Sequence, residues 1–243
     1  MITAAVLLLA ACRIEEGPTT AWEGDIQSWG TLREALRDGE DQGRVAVADV
    51  AAEGLYAVGA LEGLRGEVTI VDGEVWISEG DAVAPVTTRG QPGDARADVQ
   101  ATVLFAADVG EWHEVSVEEP VDPSVFDAFL AEQARAVGLD TTRLFPFIVQ
   151  GGLSHLSLHV IAGECPIRAR MMGADMTSPP FELHSELVEG RLVGFYAPDS
   201  AGVLCHMGSQ THTHAVLEQD GGLTGHVETV GLARGATLKL PLP

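Results

Sequence analysis

Basic residues are scarce in this chain: 14 Lys and Arg stand against 36 Asp and Glu, a formal net charge of −22. That excess repels phosphate backbones and anionic headgroups, so nucleic acid and lipid surfaces are set aside as partners. A solvated acidic face accounts for it. Cysteine is equally sparse, with Cys12, Cys165 and Cys205 the whole supply. No two are spaced as CxxC, which removes the thiol redox motif. In an exported chain Cys165 and Cys205 offer one bridge; as buried small hydrophobes they need none. No sequence repeat of roughly 20–50 residues is visible, so a solenoid is not indicated.

What is present suffices for a globular core. The chain has 243 residues and is 46% apolar, enough for one large domain or two modest ones. Residues 1–11 are nearly all apolar, and Leu9-Ala10-Ala11-Cys12 has the form of a lipobox. The run is too short to span a bilayer but suits a signal peptide, although no Lys or Arg precedes Cys12. The expectation is an exported lipoprotein anchored to the cell envelope through an acylated Cys12. Residues 1–24 then form the signal peptide and a short tether. The alternative is a cytoplasmic protein whose start is misplaced.

The remainder divides near residue 140, into 25–140 and 141–243. Gln27 to Arg37 has helical spacing of Leu32, Ala35 and Leu36, with Gly39 to end it. From Arg44 to Ile77 the pattern turns strand-like, with an Asp72-Gly73 turn between two strands. Ala82 to Thr88 and Val99 to Ala107 continue the strands. Pro120 to Gly138 is again helical, opened by Asp122-Pro123-Ser124. Strands are expected over 145–150, 153–162, 189–196, 202–207 and 232–240.

Histidine is concentrated in the second half: His155, His159, His184, His206, His212, His214 and His226, leaving only His113 before them. His212 and His214 are two apart, hence on one face of a strand. Asp220-Gly221-Gly222 is a turn signal, and a hairpin about position 220 places His214 opposite His226 and His212 opposite Glu228. Three imidazoles on one sheet face, with a carboxylate nearby, form a zinc-type site with a position open for a ligand. Solvated histidines on an exposed face are the alternative, and for His155 and His184 the preferred reading.

Two stretches carry a likeness. Tyr56-Ala57-Val58-Gly59-Ala60-Leu61-Glu62-Gly63-Leu64-Arg65-Gly66-Glu67 runs on to Asp72-Gly73, and Gly190, Val193, Gly194, Phe195 and Pro198 precede the HxH and Gly225-His226-Val227 strands. In this order they resemble the α-acetolactate decarboxylases, over roughly 50–243. The resemblance implies an α+β fold, with a mixed N-terminal sheet bearing helices and a β-barrel-like C-terminal half carrying the metal. It also implies a homodimer, a zinc ion on His212, His214 and His226, and an active-site glutamate at Glu67. Gln210 replaces an expected glycine. His159 aligns with the family's substrate-contacting arginine, and the family's tail glutamate has no counterpart before Pro243.

The implied reaction is loss of CO2 from 2-acetolactate, a small 2-hydroxy-3-keto acid, giving acetoin. A divalent cation acts as Lewis acid for the enediolate, Glu67 handles the proton, and His159 binds the carboxylate or supplies a proton. Two other readings stand beside it. One is a homologue that keeps the fold without the activity or with an altered substrate. The other is a cupin-like oxygenase or isomerase built on His212, His214, Glu218 and Gly225.

Overall fold

A computed structural model describes residues 24–80, 83–91, 93, 98–164, 169, 173 and 175–242. The signal-like run, Cys12, the tether up to residue 23 and Cys165 lie outside the described residues. No described helix is long and apolar enough to cross a membrane.

The first sheet contains β1 (Ile26–Trp29), β2 (Val45–Ala46), β3 (Tyr56–Leu61), β4 (Gly66–Val71), β5 (Glu74–Glu79), β6 (Val86–Gly90) and β7 (Gln100–Ala107). Its order is β1-β7-β3-β4-β5-β6, with β2 also on β7. Every pairing is antiparallel, which corrects the expected mixed sheet. The chain reverses by tight turns, which join only antiparallel neighbours. Asp72 and Gly73, at φ 52° and 74°, make one of them between β4 and β5.

The second sheet contains β8 (Trp112–Ser116), β9 (Phe145–Val160), β10 (Phe181–Tyr196), β11 (Thr211–Leu217), β12 (Leu223–Leu232) and β13 (Thr237–Pro241). Its order is β10-β11-β12-β9-β13-β8, and β9 also pairs with β10. β9, β10, β11 and β12 are thereby linked in a ring of antiparallel pairings, and β13 and β8 extend the sheet from β9. The α+β class holds, with strand predominating.

Among the described residues two α-helices frame the sheets, α1 (Val47–Ala52) and α2 (Phe126–Ala136). Asp122 caps the turn leading into α2 by accepting from the Ser124 backbone N–H at 2.9 Å, and Gly138 follows α2 at φ 88°. The helix expected over 27–37 forms in its second half, where Leu32, Ala35 and Leu36 lie and Gly39 ends it at φ 77°. The start differs: Ile26–Trp29 pairs with β7 as a strand, and Arg33–Asp38 coils as a π-type helix. Likewise α1 occupies part of a stretch that reads as strand, because Val47, Val50 and Ala51 bury against the first sheet.

Packing gives four layers. Val47, Val50 and Leu55, in and just after α1, pack on one face of the first sheet, with Val68, Ile70 and Leu104. The opposite face, with Val58, Trp76, Val103 and Phe105, meets Ile148, Val193, Phe195 and Val216 of the second sheet. The far face of the second sheet packs Phe147, Val149 and Leu192 against Phe126, Leu130 and Ala134 of α2. Burying a side chain the size of Phe195 contributes roughly 1.5–3 kcal/mol. The seam between the sheets is therefore a continuous apolar core, interrupted only where polar residues converge.

Candidate metal centre

The polar interruption is built by register. β11 and β12 pair Leu217 with Leu223 and His214 with His226, around a turn at Gln219–Gly221 in which Asp220 has φ 53°. β12 then pairs His226 with His159 of β9, and β9 pairs His159 with Glu182 of β10. A row of titratable side chains thus crosses four strands. Gly225 permits the close approach of β9 and β12, since a Cβ there would lie 2.8 Å from the His159 carbonyl oxygen. The β11–β12 ladder ends at the His214–His226 pair, so the further pairing of His212 with Glu228 is not made.

His212, His214 and His226 are buried, and one ring nitrogen from each lies within 4.8 Å of the other two. The His212 Nδ1–H donates to the Leu204 carbonyl at 2.9 Å. That contact fixes the tautomer and leaves Nε2 with a free lone pair. His214 Nδ1 lies 3.2 Å from Thr69 Oγ1, which is itself 2.6 Å from Thr224 Oγ1. Nε2 of both His212 and His214 is buried without a hydrogen-bond partner. Each orphaned polar atom costs roughly 1–3 kcal/mol. Buried nitrogens of this kind, within 4.8 Å of one another, fit a divalent ion that prefers nitrogen donors.

The electrostatics agree with that fit. Burial pushes the His212 imidazole down to about 4, with a backbone contact to Leu204 partly opposing it. Burial also holds His214 and His226 well below the ordinary histidine value, reinforced by neighbouring imidazoles. All three are neutral at pH 7, the form that ligates.

Glu67 enters from the first sheet. On β4, it is only 3% exposed, and its Oε2 lies 3.5 Å from His214 Nε2 while Oε1 lies 4.0 Å from His159 Nε2. Burial holds its carboxyl well above the usual range; the Ile161 N–H at 3.4 Å opposes this, and the Glu228 charge adds to it. A cation in the histidine triad would draw it back down. Glu228 behaves oppositely, held below the ordinary range chiefly by hydrogen bonds from His159 and then His206. Its Oε1 is 2.8 Å from His159 Nδ1 and its Oε2 is 3.5 Å from His206 Nδ1.

Glu67, His159, His206, His212, His226 and Glu228 line a cavity of about 290 Å³ that Leu32, Leu36, Leu64 and Val103 also line. A second cavity of about 260 Å³ meets it at His206, His226 and Glu228. Those same three residues form another group with ligand atoms within 4.8 Å.

Of the residues singled out by sequence, Glu67, His159, His212, His214 and His226 come together. His155 and His184 do not join the triad: each is well exposed and contacts a surface glutamate. Glu218 pairs with Arg191 at 3.0 Å, so the carboxylate that a cupin arrangement needs is engaged elsewhere. Two contributors escaped the sequence reading. Residues 202–207 form a turn, bridged Ala201 to Cys205, rather than a strand. That turn supplies the Leu204 carbonyl and swings His206 into the cavity wall. Cys205 beside them is a buried free thiol pushed up to about 12 by burial. Thr69 had no signal beyond strand alternation.

The two-sheet frame thus gathers buried imidazoles beside a buried carboxyl at the wall of a cavity. The family model for alpha-acetolactate decarboxylase matches residues 30–240, and the chain belongs to that family. Two crystal structures of acetolactate decarboxylase from Bacillus subtilis share the fold. That of subspecies spizizenii has TM-score 0.63 at 18% identity, covering 90% of this chain and 86% of its own. That of strain 168 has TM-score 0.63 at 19% identity, covering 90% and 85%. A Staphylococcus aureus protein of unknown function, described as similar to alpha-acetolactate decarboxylase, has TM-score 0.64 at 15% identity, covering 88% and 84%. No functionally curated protein matches by sequence.

Proposed function

We propose that this protein decarboxylates 2-acetolactate to acetoin and CO2, using a divalent ion of the zinc type held by His212, His214 and His226. The observation that carries the reading is the pair of buried Nε2 atoms on His212 and His214 that have no hydrogen-bond partner, beside a cavity lined by His212, His226 and the buried Glu67. When bound, such an ion supplies Lewis acidity that stabilises negative charge on the substrate's oxygens.

The protein's own residues do the rest. Breaking the bond to the carboxylate leaves its electron pair on the substrate as an enediolate, and CO2 departs. One proton delivered to carbon then completes acetoin. Glu67, a buried carboxyl 3.5 Å from His214 Nε2 and 4.0 Å from His159 Nε2, is the group assigned to move that proton. His159 Nε2, 4.0 Å from Glu67 Oε1, contacts the reacting end of the substrate. Leu32, Leu36, Leu64 and Val103 exclude water from the charge that develops.

The test is to purify the protein, measure its metal content, and assay acetoin from racemic acetolactate with and without a chelator. Bound metal with chelator-sensitive acetoin release supports the proposal; metal without acetoin overturns it. Export and anchoring through Cys12 accompany the proposal, and fatty-acid labelling of wild type against Cys12→Ala checks them.

A further inference from the structure

Glu228 lies at the cavity mouth, two residues beyond His226, with both carboxylate oxygens directed at imidazoles. A carboxylate oxygen 2.8 Å from an imidazole nitrogen pairs with the nitrogen that bears hydrogen, so the contact selects Nδ1–H of His159. The other nitrogen, Nε2, is then the one presented beside Glu67, 4.0 Å from Oε1. The second oxygen of Glu228 is 3.5 Å from His206 Nδ1, and the His206 ring stacks on His226 with centroids 4.4 Å apart. One carboxylate is thus braced by the histidine that packs on the triad, and it braces the histidine that faces the substrate.

We infer that Glu228 is a positioning residue that acts through His159, fixing the ring and tautomer so that Nε2 meets the substrate. His206 holds Glu228 from its other oxygen. The inference rests on the decarboxylase reading, in which His159 is a catalytic residue. Carboxylates hold imidazoles elsewhere in this way, and removing such a partner costs about 10–100-fold in activity or metal affinity. Here the loss falls on turnover. A rival role exists on the same atoms, since His206, His226 and Glu228 can themselves group around an ion. The two roles differ in what happens to bound metal.

The experiment uses the zinc-loaded full chain as wild type, Glu228→Ala, Glu228→Gln, His159→Ala and the Glu228→Ala/His159→Ala double variant. Zinc per chain, kcat and KM for acetolactate, and imidazole nitrogen NMR shifts are read for each. Zinc is expected to stay at the wild-type ratio throughout. In Glu228→Ala, kcat falls about 10–100-fold with KM little changed, and the Nδ1–H form of His159 loses its dominance. Glu228→Gln keeps an acceptor oxygen and recovers part of the loss. The double variant is no slower than His159→Ala, because residues that act as a unit are not additive. Multiplying losses in the double variant, an unchanged His159 tautomer, or zinc lost with Glu228 each overturns the inference. Should wild type release no acetoin, the decarboxylase reading fails, and the NMR comparison still decides whether Glu228 sets the His159 tautomer.

Discussion

The two sheets obey different rules. In the first, β4 is buried on both faces, between α1 and the second sheet, and reads Gly66-Glu67-Val68-Thr69-Ile70-Val71. In the second, the outer half of β10 alternates toward solvent, and histidines occupy the face of β11 and β12 that turns to the first sheet. A doubly buried strand has no room for casual polarity. Glu67 and Thr69 are therefore the informative residues of the first sheet, and both contact His214. The second sheet supplies the candidate ligands, and the first supplies an apolar wall with one carboxyl set into it. Chemistry here comes from apposing two layers, neither of which holds the site alone.

That division predicts effects of descending size. His214→Ala removes a candidate ligand and should abolish both metal binding and acetoin release while the fold persists; metal analysis and circular dichroism check this. Retention of full metal content would break the assignment of ligands to the second sheet. Glu67→Gln should keep metal and lose about 10²–10⁴-fold in kcat, since it deletes proton transfer without touching a ligand. On the seam between the layers, Phe195→Ala should cost about 3–5 kcal/mol of stability, read by urea unfolding. At the exposed end of the scale, Arg234→Ala removes a 2.6 Å pair with Glu119 and should change stability by less than about 1 kcal/mol.

The pH response sharpens the same contrast. His212, His214 and His226 have folded values below the ordinary 6.5, so the unfolded chain binds more protons as pH falls through that value. Their contribution to stability is full above 6.5 and shrinks toward about 4. Glu67 has the opposite sign: its stabilisation is present below 4.5 and is lost as pH rises through its raised folded value. Three groups outweigh one, so metal-stripped protein should unfold at lower urea at pH 5 than at pH 6.5. Glu67→Gln should steepen that slope. A flat profile would mean that the triad is hydrated in the metal-free state.

Much of this was legible because hairpin chemistry is local. Asp72-Gly73 and Asp220-Gly221 name their own turns, and the second carries the His214–His226 register with it. The likeness around Gly66-Glu67 pointed to the partner carboxyl. What stayed hidden depends on distant contacts. Gly151 and Gly152 suggested a break between two strands, yet Gly151, at φ 125°, lets one 16-residue strand bend and continue as β9. The helix read over 27–37 begins late because β7 offers Ile26–Trp29 an edge to pair with. The Leu204 carbonyl has no side-chain signature at all, and Glu228 shows its partners only once β9 lies beside β12.

Because Glu67 and the triad ride on separate layers, the site measures the gap between them. Anything that slides one layer over the other by a fraction of an ångström, such as pressure, a crosslink or a swollen side chain at Phe105, changes the 3.5 Å separation of Glu67 and His214 before any strand unpairs. Loss of turnover should then be the first symptom of damage anywhere along the seam, ahead of melting. The protein would act as its own alignment gauge.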